Sequence, residues 1–208
     1  MNIEEWAGKN THKKIVNIMK TKRRGKVLDI AAGPGNISFK LNNMGFDVIA
    51  ADIDPSKFKP DEIPCVKVDA NYKLPFNSES FDYVVSVETI EHLKNPWFFL
   101  DEIHRILKKD GTCILTSPNI ETIQNRIFYL LKGRFNWFHT KEALDDHKTP
   151  IFSWIFKYMV KEKFLIINET FNAGETIGFL PRLGINARLP SIDNGLFGEI
   201  RIIEMVKK

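Results

Sequence analysis

Hydrophobic and polar positions along this chain follow two alternating periods. Short apolar runs of strand length, "KVLDIA", "FDVIAAD", "IPCVKVDA", "FDYVVSVE" and "TCILTSPN", are interleaved with stretches whose apolar residues recur at three and four. The first such stretch predicts a helix over about residues 3–21, running out in the basic "KTKRRGK". "NISFKLNNMG" predicts a second, with Gly45 as its stop. "NPWFFLDEIHRILKKDG" is the best signalled. Asn95 can cap it, Pro96 suits its first turn, and Phe99, Leu100, Ile103, Ile106 and Leu107 make one apolar face. Strands alternating with helices predict an α/β fold, a mostly parallel Rossmann-like sheet with helices on both faces.

After Asn119 the pattern changes. "IETIQNRIFYLLKGRF", ending at Gly133, and "IFSWIFKYMVKEKF" predict helices, and "NWFHTKEALDDHKTP" between them predicts a loop. "FLIINETF" and "EIRIIEMVKK" predict two closing strands that bring the sheet to seven and pair as an antiparallel hairpin. The Gly- and Pro-rich stretch between them is a long excursion of the kind that is usually functional. The expected organisation is a single domain over 1–208. Its core is about 24–120 plus closing strands about 164–171 and 198–206; a variable cap covers about 121–163 and 172–197.

Composition narrows the class. The chain has 208 residues, 43% hydrophobic and 27% charged, enough for one full core. A net charge of +4 permits an acidic partner without demanding one, and argues against a dedicated nucleic-acid binder. Cys65 and Cys113 lie within apolar runs and are expected to be buried, reduced thiols, as in a cytoplasmic protein. The charged start "MNIEEWAGKN" has no apolar signal core, and no run approaches the ~20 apolar residues of a membrane span.

The chemistry begins at "VLDIAAGPGNISFKL", Val27 to Leu41. A strand ends on an acid, then small residues and two glycines lead into a helix. In an open parallel sheet, ligands sit beyond the carboxyl ends of the strands where strand order reverses. Gly33 and Gly35 let the backbone turn tightly there. Dinucleotide enzymes, phosphate binders and methyltransferases all use such turns. Asp29 discriminates, because a carboxylate just before the turn suits a positively charged ligand better than a pyrophosphate. The third glycine of G-x-G-x-x-G is missing, and there is no Gly-Lys-Ser/Thr.

At these residues the chain resembles the class I S-adenosylmethionine-dependent methyltransferases. "VLDIAAGPGNIS" is similar to their first motif, with Ala31 where the family usually carries glycine. "VIAADIDPSKF" ends its strand at Asp52, placed to accept the ribose hydroxyls, with Ile53 beside it. The resemblance implies that Asp69 meets the adenine amino group with Ala70 alongside, and that Val87 lies by the methionyl end. "ILKKDGTCILTSPN" resembles the family's turn into the fifth strand, with Asp110 in place of a glycine. The resemblance covers about residues 24–120 and implies a cofactor set of Asp29, Ala31, Gly33, Gly35, Asp52, Ile53, Asp69, Ala70 and Val87 for S-adenosyl-L-methionine.

The acceptor end is less defined. "SVETIEHLKNP" resembles methyltransferases that O-methylate ubiquinone precursors and their relatives in glycan pathways. That implies His92 as a candidate base. His147 of "DHKTPIFSWIF" is expected at the acceptor pocket on the same ground. Methyl transfer to a small-molecule, lipid-linked or glycan acceptor, preferentially at oxygen, is the expected reaction. The aromatic and basic cap offers a surface for peripheral membrane contact. No metal ligands are assigned and the need for a metal stays open: the sequence holds no convincing ligand cluster, although Glu88, Glu91 and His92 are of ligating types. His104 falls on the polar face of its helix and is expected to be solvated, and His12 and His139 carry no signal. Two alternatives stay open: a nicotinamide-dependent oxidoreductase on a similar sheet, and a non-catalytic cofactor-binding interaction module.

Overall fold

The computed structural model describes residues 3–8, 10–138, 146–172 and 195–208. The apolar runs become strands β1 (Lys26–Ile30), β2 (Asp47–Asp52), β3 (Cys65–Lys67), β4 (Phe81–Ser86), β5 (Leu107–Pro118), β6 (Phe164–Phe171) and β7 (Ile200–Lys207). They form one sheet in the order β3-β2-β1-β4-β5-β7-β6. β1 to β5 pair in parallel, while β7 runs antiparallel to both β5 and β6. Strand order therefore reverses at β1, which pairs with β2 on one side and β4 on the other. The expected α/β class, seven strands and antiparallel closing hairpin are all present.

The helices are α1 (Thr11–Lys20), α2 (Asn36–Asn43), α3 (Pro96–Ile106), α4 (Ile123–Lys132) and α5 (Ser153–Val160). Successive residues of the central strands face opposite sides of the sheet. Leu28, Val84, Leu115 and Ile203 join one buried cluster with Phe99, Leu100 and Ile103 of α3 and Phe156 and Met159 of α5. Val27, Val85, Ile114 and Ile202 join the other, with Ile15 and Met19 of α1 and Ile37 and Leu41 of α2. Burial on both faces is why these strands read as nearly continuous apolar runs.

Asn95 caps α3 through its side chain, which accepts from the Phe98 N–H, and Pro96 opens the helix as expected. Thr122 caps α4 in the same way, and Gly133 ends it in the left-handed conformation. The N-terminal helix differs from expectation. It starts only at Thr11, because Asn10 takes φ 64° and breaks the helical path. Residues 3–8 instead run across the mouth of the sheet. β5 also begins earlier than "TCILTSPN". Leu107 pairs with Phe81 before the register shifts, and Asp110 occupies a left-handed position (φ 60°) within the irregularity. Most of the Gly- and Pro-rich excursion, 173–194, lies outside the described residues, as does His139.

The turn after β1 explains its small residues. Three of its positions are left-handed: Ala31 (φ 58°), Gly33 (φ 53°) and Gly35 (φ 89°). At Gly35 a Cβ would sit 2.6 Å from a ring carbon of Phe58 and 2.7 Å from Pro60. Gly35→Ala is therefore expected to destabilise by about 2–4 kcal/mol, summing a left-handed penalty and overpacking. Ala31 carries that penalty already. Ala31→Gly is expected to raise stability by about 0.5–1 kcal/mol, the relief offset in part by a more flexible unfolded chain. For a chain of this size that is a thermal-melt shift of about 2–4 °C. An unchanged or lower melting temperature for Ala31→Gly would contradict the strain argument.

Candidate active site

The carboxyl ends of β1, β2 and β4 open into a cavity of about 650 Å³, within the range of small-molecule sites. Of the residues singled out in the sequence, Asp29, Ala31, Gly33, Asp52, Ile53, Asp69, Ala70, Val87, His92 and His147 all line it. Gly35 does not. It starts α2 and is glycine because Phe58 and Pro60 crowd it.

Asp29 is 1% exposed. The Ser38 hydroxyl donates to its Oδ2 at 2.6 Å. Burial dominates all the same and pushes its carboxyl up to about 7, with the Ser38 donors opposing and Asp52 adding to the rise. Asp52, at the end of β2, accepts the Gly33 N–H at 2.8 Å through Oδ2 and the Asp54 N–H at 2.9 Å through Oδ1. One side chain thus ties the turn after β1 to the turn after β2. Ile53 beside it is 61% exposed at the rim. Asp69 accepts from the Asn71 backbone and side-chain amides through Oδ1, so it also shapes a turn.

The N-terminal stretch covers this half of the cavity. The Asn36 side-chain amide donates to the Ile3 carbonyl at 2.7 Å, and the Gly8 N–H donates to Glu88 Oε1 at 2.9 Å. The Trp6 ring lies over Gly33, where an added Cβ would meet it at 3.3 Å. His12 is buried and bonded through Nδ1 to Asn36 Oδ1. Trp6, His12, Lys57, Thr89 and Asp146 all line the cavity, and sequence reasoning missed them. No local motif marks any of them.

The far half is acidic and histidine-rich. Glu88 sits at the end of β4 with φ 46°, a strained position for a non-glycine residue. Its carboxyl is raised first by burial, with Glu199 adding to it. Glu91, on the short 3₁₀ turn Ile90–His92, is 1% exposed, and neither side-chain oxygen has a hydrogen-bond partner among the described residues. Burial pushes its carboxyl well above the usual range. The segment after the undescribed residues 139–145 is sewn onto this turn. The Lys148 and Thr149 N–H groups both donate to the Glu91 carbonyl, at 2.8 and 2.9 Å, and the Thr149 hydroxyl donates to the Leu93 carbonyl. His147 is thereby held beside His92, ring centroids 4.7 Å apart. Burial, then the neighbouring His92, lowers the His147 pKa. Ligand-capable atoms of Glu91, His92 and His147 lie within 4.8 Å of one another. The sequence left a metal undecided and named Glu88, Glu91 and His92 as ligating types; the fold brings His147 to two of them. Glu91 and His147 are far apart in the chain, and the hydrogen bonds between their segments bring them together.

The Asp29 environment has a testable sign. A carboxyl raised in the folded state binds its proton more tightly there than in the unfolded chain, where it titrates near 3.9. The ligand-free protein therefore loses stability from this group as pH rises from about 4 to about 7. Asp29→Asn is expected to raise the ligand-free melting temperature at pH 8 by more than at pH 4. An equal shift at both values would rule out a titrating Asp29.

Comparison with known proteins follows the same outline. Residues 28–115 match the family described as "Methyltransferase domain". A protein of Methanocaldococcus jannaschii, whose name assigns no activity, is 35% identical over 156 residues, covering 74% of this chain and 61% of that one. A ubiquinone biosynthesis O-methyltransferase of Pelagibacter ubique is 26% identical over 53% of this chain and 48% of its own. The chain thus spans less than two thirds of the length of these sequence relatives. A solved S-adenosylmethionine-dependent methyltransferase from Thermotoga maritima shares the fold, with a TM-score of 0.69 at 19% identity over 95% of this chain and 89% of that one. Residues 28–115 thus carry a methyltransferase domain, and the motif order and sheet topology around it are those of the class I S-adenosylmethionine-dependent methyltransferase fold.

Proposed function

We propose that this protein transfers a methyl group from S-adenosylmethionine to a hydroxyl of a small-molecule, lipid-linked or glycan acceptor. The observation that carries the reading is that Asp29, Asp52 and Asp69, the acids at three strand ends, line the same cavity as His92 and His147. The residues fit the cofactor. A buried Asp29 carboxylate with only Ser38 as donor is a poor site for a pyrophosphate and a good one for a ligand ammonium. Asp52 already aims both oxygens at backbone amides, and each oxygen keeps a further lone pair for a ribose hydroxyl. The exposed Ile53 side chain at the rim suits the face of a base.

When bound, the cofactor supplies a methyl group already activated on a sulfonium. The protein then needs to align the acceptor, exclude water and take up a proton. Trp6 and the 3–8 segment close the cofactor half. His92 and His147 stand at the acceptor half. The name of the Pelagibacter relative supports oxygen as the acceptor atom. The cap supports a lipid-linked acceptor. α4 exposes Tyr129, Leu130 and Leu131, with Leu130 82% exposed, and Trp137 and Trp154 are exposed as well. Lys132 at the end of α4 and Arg134 just beyond it place basic groups beside these residues. Among the described residues no helix is long and apolar enough to cross a membrane.

The test is calorimetric titration with S-adenosylhomocysteine and, in parallel, NADH. Micromolar-range S-adenosylhomocysteine binding is expected. Asp52→Ala, checked for folding by thermal melt, is expected to weaken it tenfold or more, since charge-assisted bonds are worth ~1.5–3 kcal/mol. Binding of NADH in place of S-adenosylhomocysteine would overturn the reading. Binding of S-adenosylhomocysteine without methyl transfer to any hydroxylated acceptor class would favour the interaction-module alternative.

A further inference from the structure

We propose that Glu91, His92 and His147 form a binding site for a divalent transition-metal cation at the acceptor end of the cavity. Two imidazoles and a carboxylate are a donor set suited to Zn²⁺, Co²⁺ or Mn²⁺. The case rests on how each donor is held.

Glu91 is the first observation. Its carboxylate is buried, and neither oxygen has a hydrogen-bond partner among the described residues. An ionised carboxylate in that position is costly unless a cation joins it. Its Oε1 faces His92 Nε2 at 3.9 Å, too far for a hydrogen bond and close enough to share an ion.

The second observation is the orientation of the two rings. His92 Nδ1 lies 3.0 Å from the Asp146 carbonyl oxygen and 3.0 Å from Asp146 Oδ1. Both are acceptors, so the proton sits on Nδ1 and the Nε2 lone pair is left toward Glu91. His147 Nδ1 lies 3.1 Å from the Trp137 carbonyl oxygen, so it too donates from Nδ1 and keeps a lone pair on Nε2. A carbonyl or carboxylate on the distal nitrogen is the usual outer support of a metal-bound imidazole. Here both rings have it.

The third is rigidity. The two bonds from Lys148 and Thr149 to the Glu91 carbonyl fix the His147 backbone against the Glu91 backbone. The ligand atoms span up to 4.8 Å. A tetrahedral ion with bonds of ~2.0–2.2 Å holds its ligands about 3.3–3.6 Å apart, so side-chain rotation must draw the three together by up to about 1.5 Å. His92 and His147 are each partly exposed to the cavity, which provides the entry path and open coordination positions. On the methyl-transfer reading those positions would take an acceptor oxygen and lower its pKa. The ion site itself does not depend on that reading.

The experiment is titration of CoCl₂ and ZnCl₂ into tag-free, chelator-treated protein without cofactor, followed by calorimetry and by the visible absorption of Co²⁺. Binding of one ion per chain is expected, with Co²⁺ bands typical of nitrogen and oxygen ligands. Glu91→Gln and His147→Ala are each expected to weaken binding tenfold or more, while His104→Ala, on α3, leaves it unchanged. Glu91→Gln is the safer variant for folding, because it removes an unpaired buried charge. Its metal-free melting temperature is expected to stay level or rise, while the stabilisation that Zn²⁺ gives the wild type disappears. Absence of one-to-one binding in the wild type, or equal binding by Glu91→Gln and His147→Ala, would overturn the site. Because no cofactor or acceptor enters the measurement, that result would leave the methyl-transfer reading standing.

Discussion

The site depends on one carboxylate. Asp52 accepts the Gly33 N–H with one oxygen and the Asp54 N–H with the other, and so locks the turn after β1 to the turn after β2. Within the left-handed path through Ala31, Gly33 and Gly35, the Gly35 N–H donates to the Ala32 carbonyl at 2.9 Å. The Ala31 and Ala32 N–H groups also point across to the Ala51 carbonyl, so the backbone of β1 leaves the sheet only after a last pair of bonds to β2. The tight exit lets α2 start directly over the end of β1. It also leaves the cavity floor lined by backbone and small side chains, where a ligand can approach closely.

A second consequence is electrostatic. Carboxyl groups whose affinity for protons burial has raised gather in and around the cavity: Asp29 and Glu88 line it, Glu91 is buried next to the lining residue His92, and Glu199 acts on Glu88. Each is a cost to the ligand-free fold at neutral pH. On the cofactor reading proposed above, a ligand ammonium beside the glycine turn would offset the cost at Asp29. On the metal proposal, a cation shared with the two imidazoles would offset the cost at Glu91.

Most of the fold was legible in the sequence because it rests on short-range signals. Strand-length apolar runs, the Asn95–Pro96 helix start and the Gly133 stop need only their neighbours to be understood. The cofactor-side acids were legible for a related reason, since each falls at a strand end. What escaped was everything decided by distant contacts. Residues 3–8 were expected to be helical, yet their backbone is claimed by Asn36 and Glu88 from across the cavity. Gly35, expected with the cofactor set, does not line the cavity, and its absent side chain makes room for Phe58. The metal-type cluster was not legible as a whole because one of its three residues, His147, arrives with a segment more than fifty residues later.

That late segment bears on how the fold serves different chemistry. The turn after β1 and the end of β2 are built almost entirely from backbone bonds and one aspartate, so they tolerate little change. The acceptor half is assembled differently. Its floor, Glu88 to His92, follows directly from β4, but its opposite wall is a strap pinned mainly through its backbone, by two hydrogen bonds to the Glu91 carbonyl, with the Thr149 hydroxyl and His92 adding side-chain bonds. Such a wall can be lengthened or replaced without disturbing β4, provided the carbonyl remains free to receive it. The strap carries His147 and leads directly into Phe152 and α5, whose Phe156 and Met159 are packed into the core. The acceptor wall is therefore anchored at one end by backbone hydrogen bonds and at the other by apolar burial. A hydrophobic acceptor that reached the cap would meet Phe135 and Phe152, whose rings already pack edge to face. On the proposed methyl-transfer reading, the same short stretch of chain would set both the polar groups at the reacting end and the apolar contacts at the far end, so the choice of acceptor and the chemistry done on it would be fixed together.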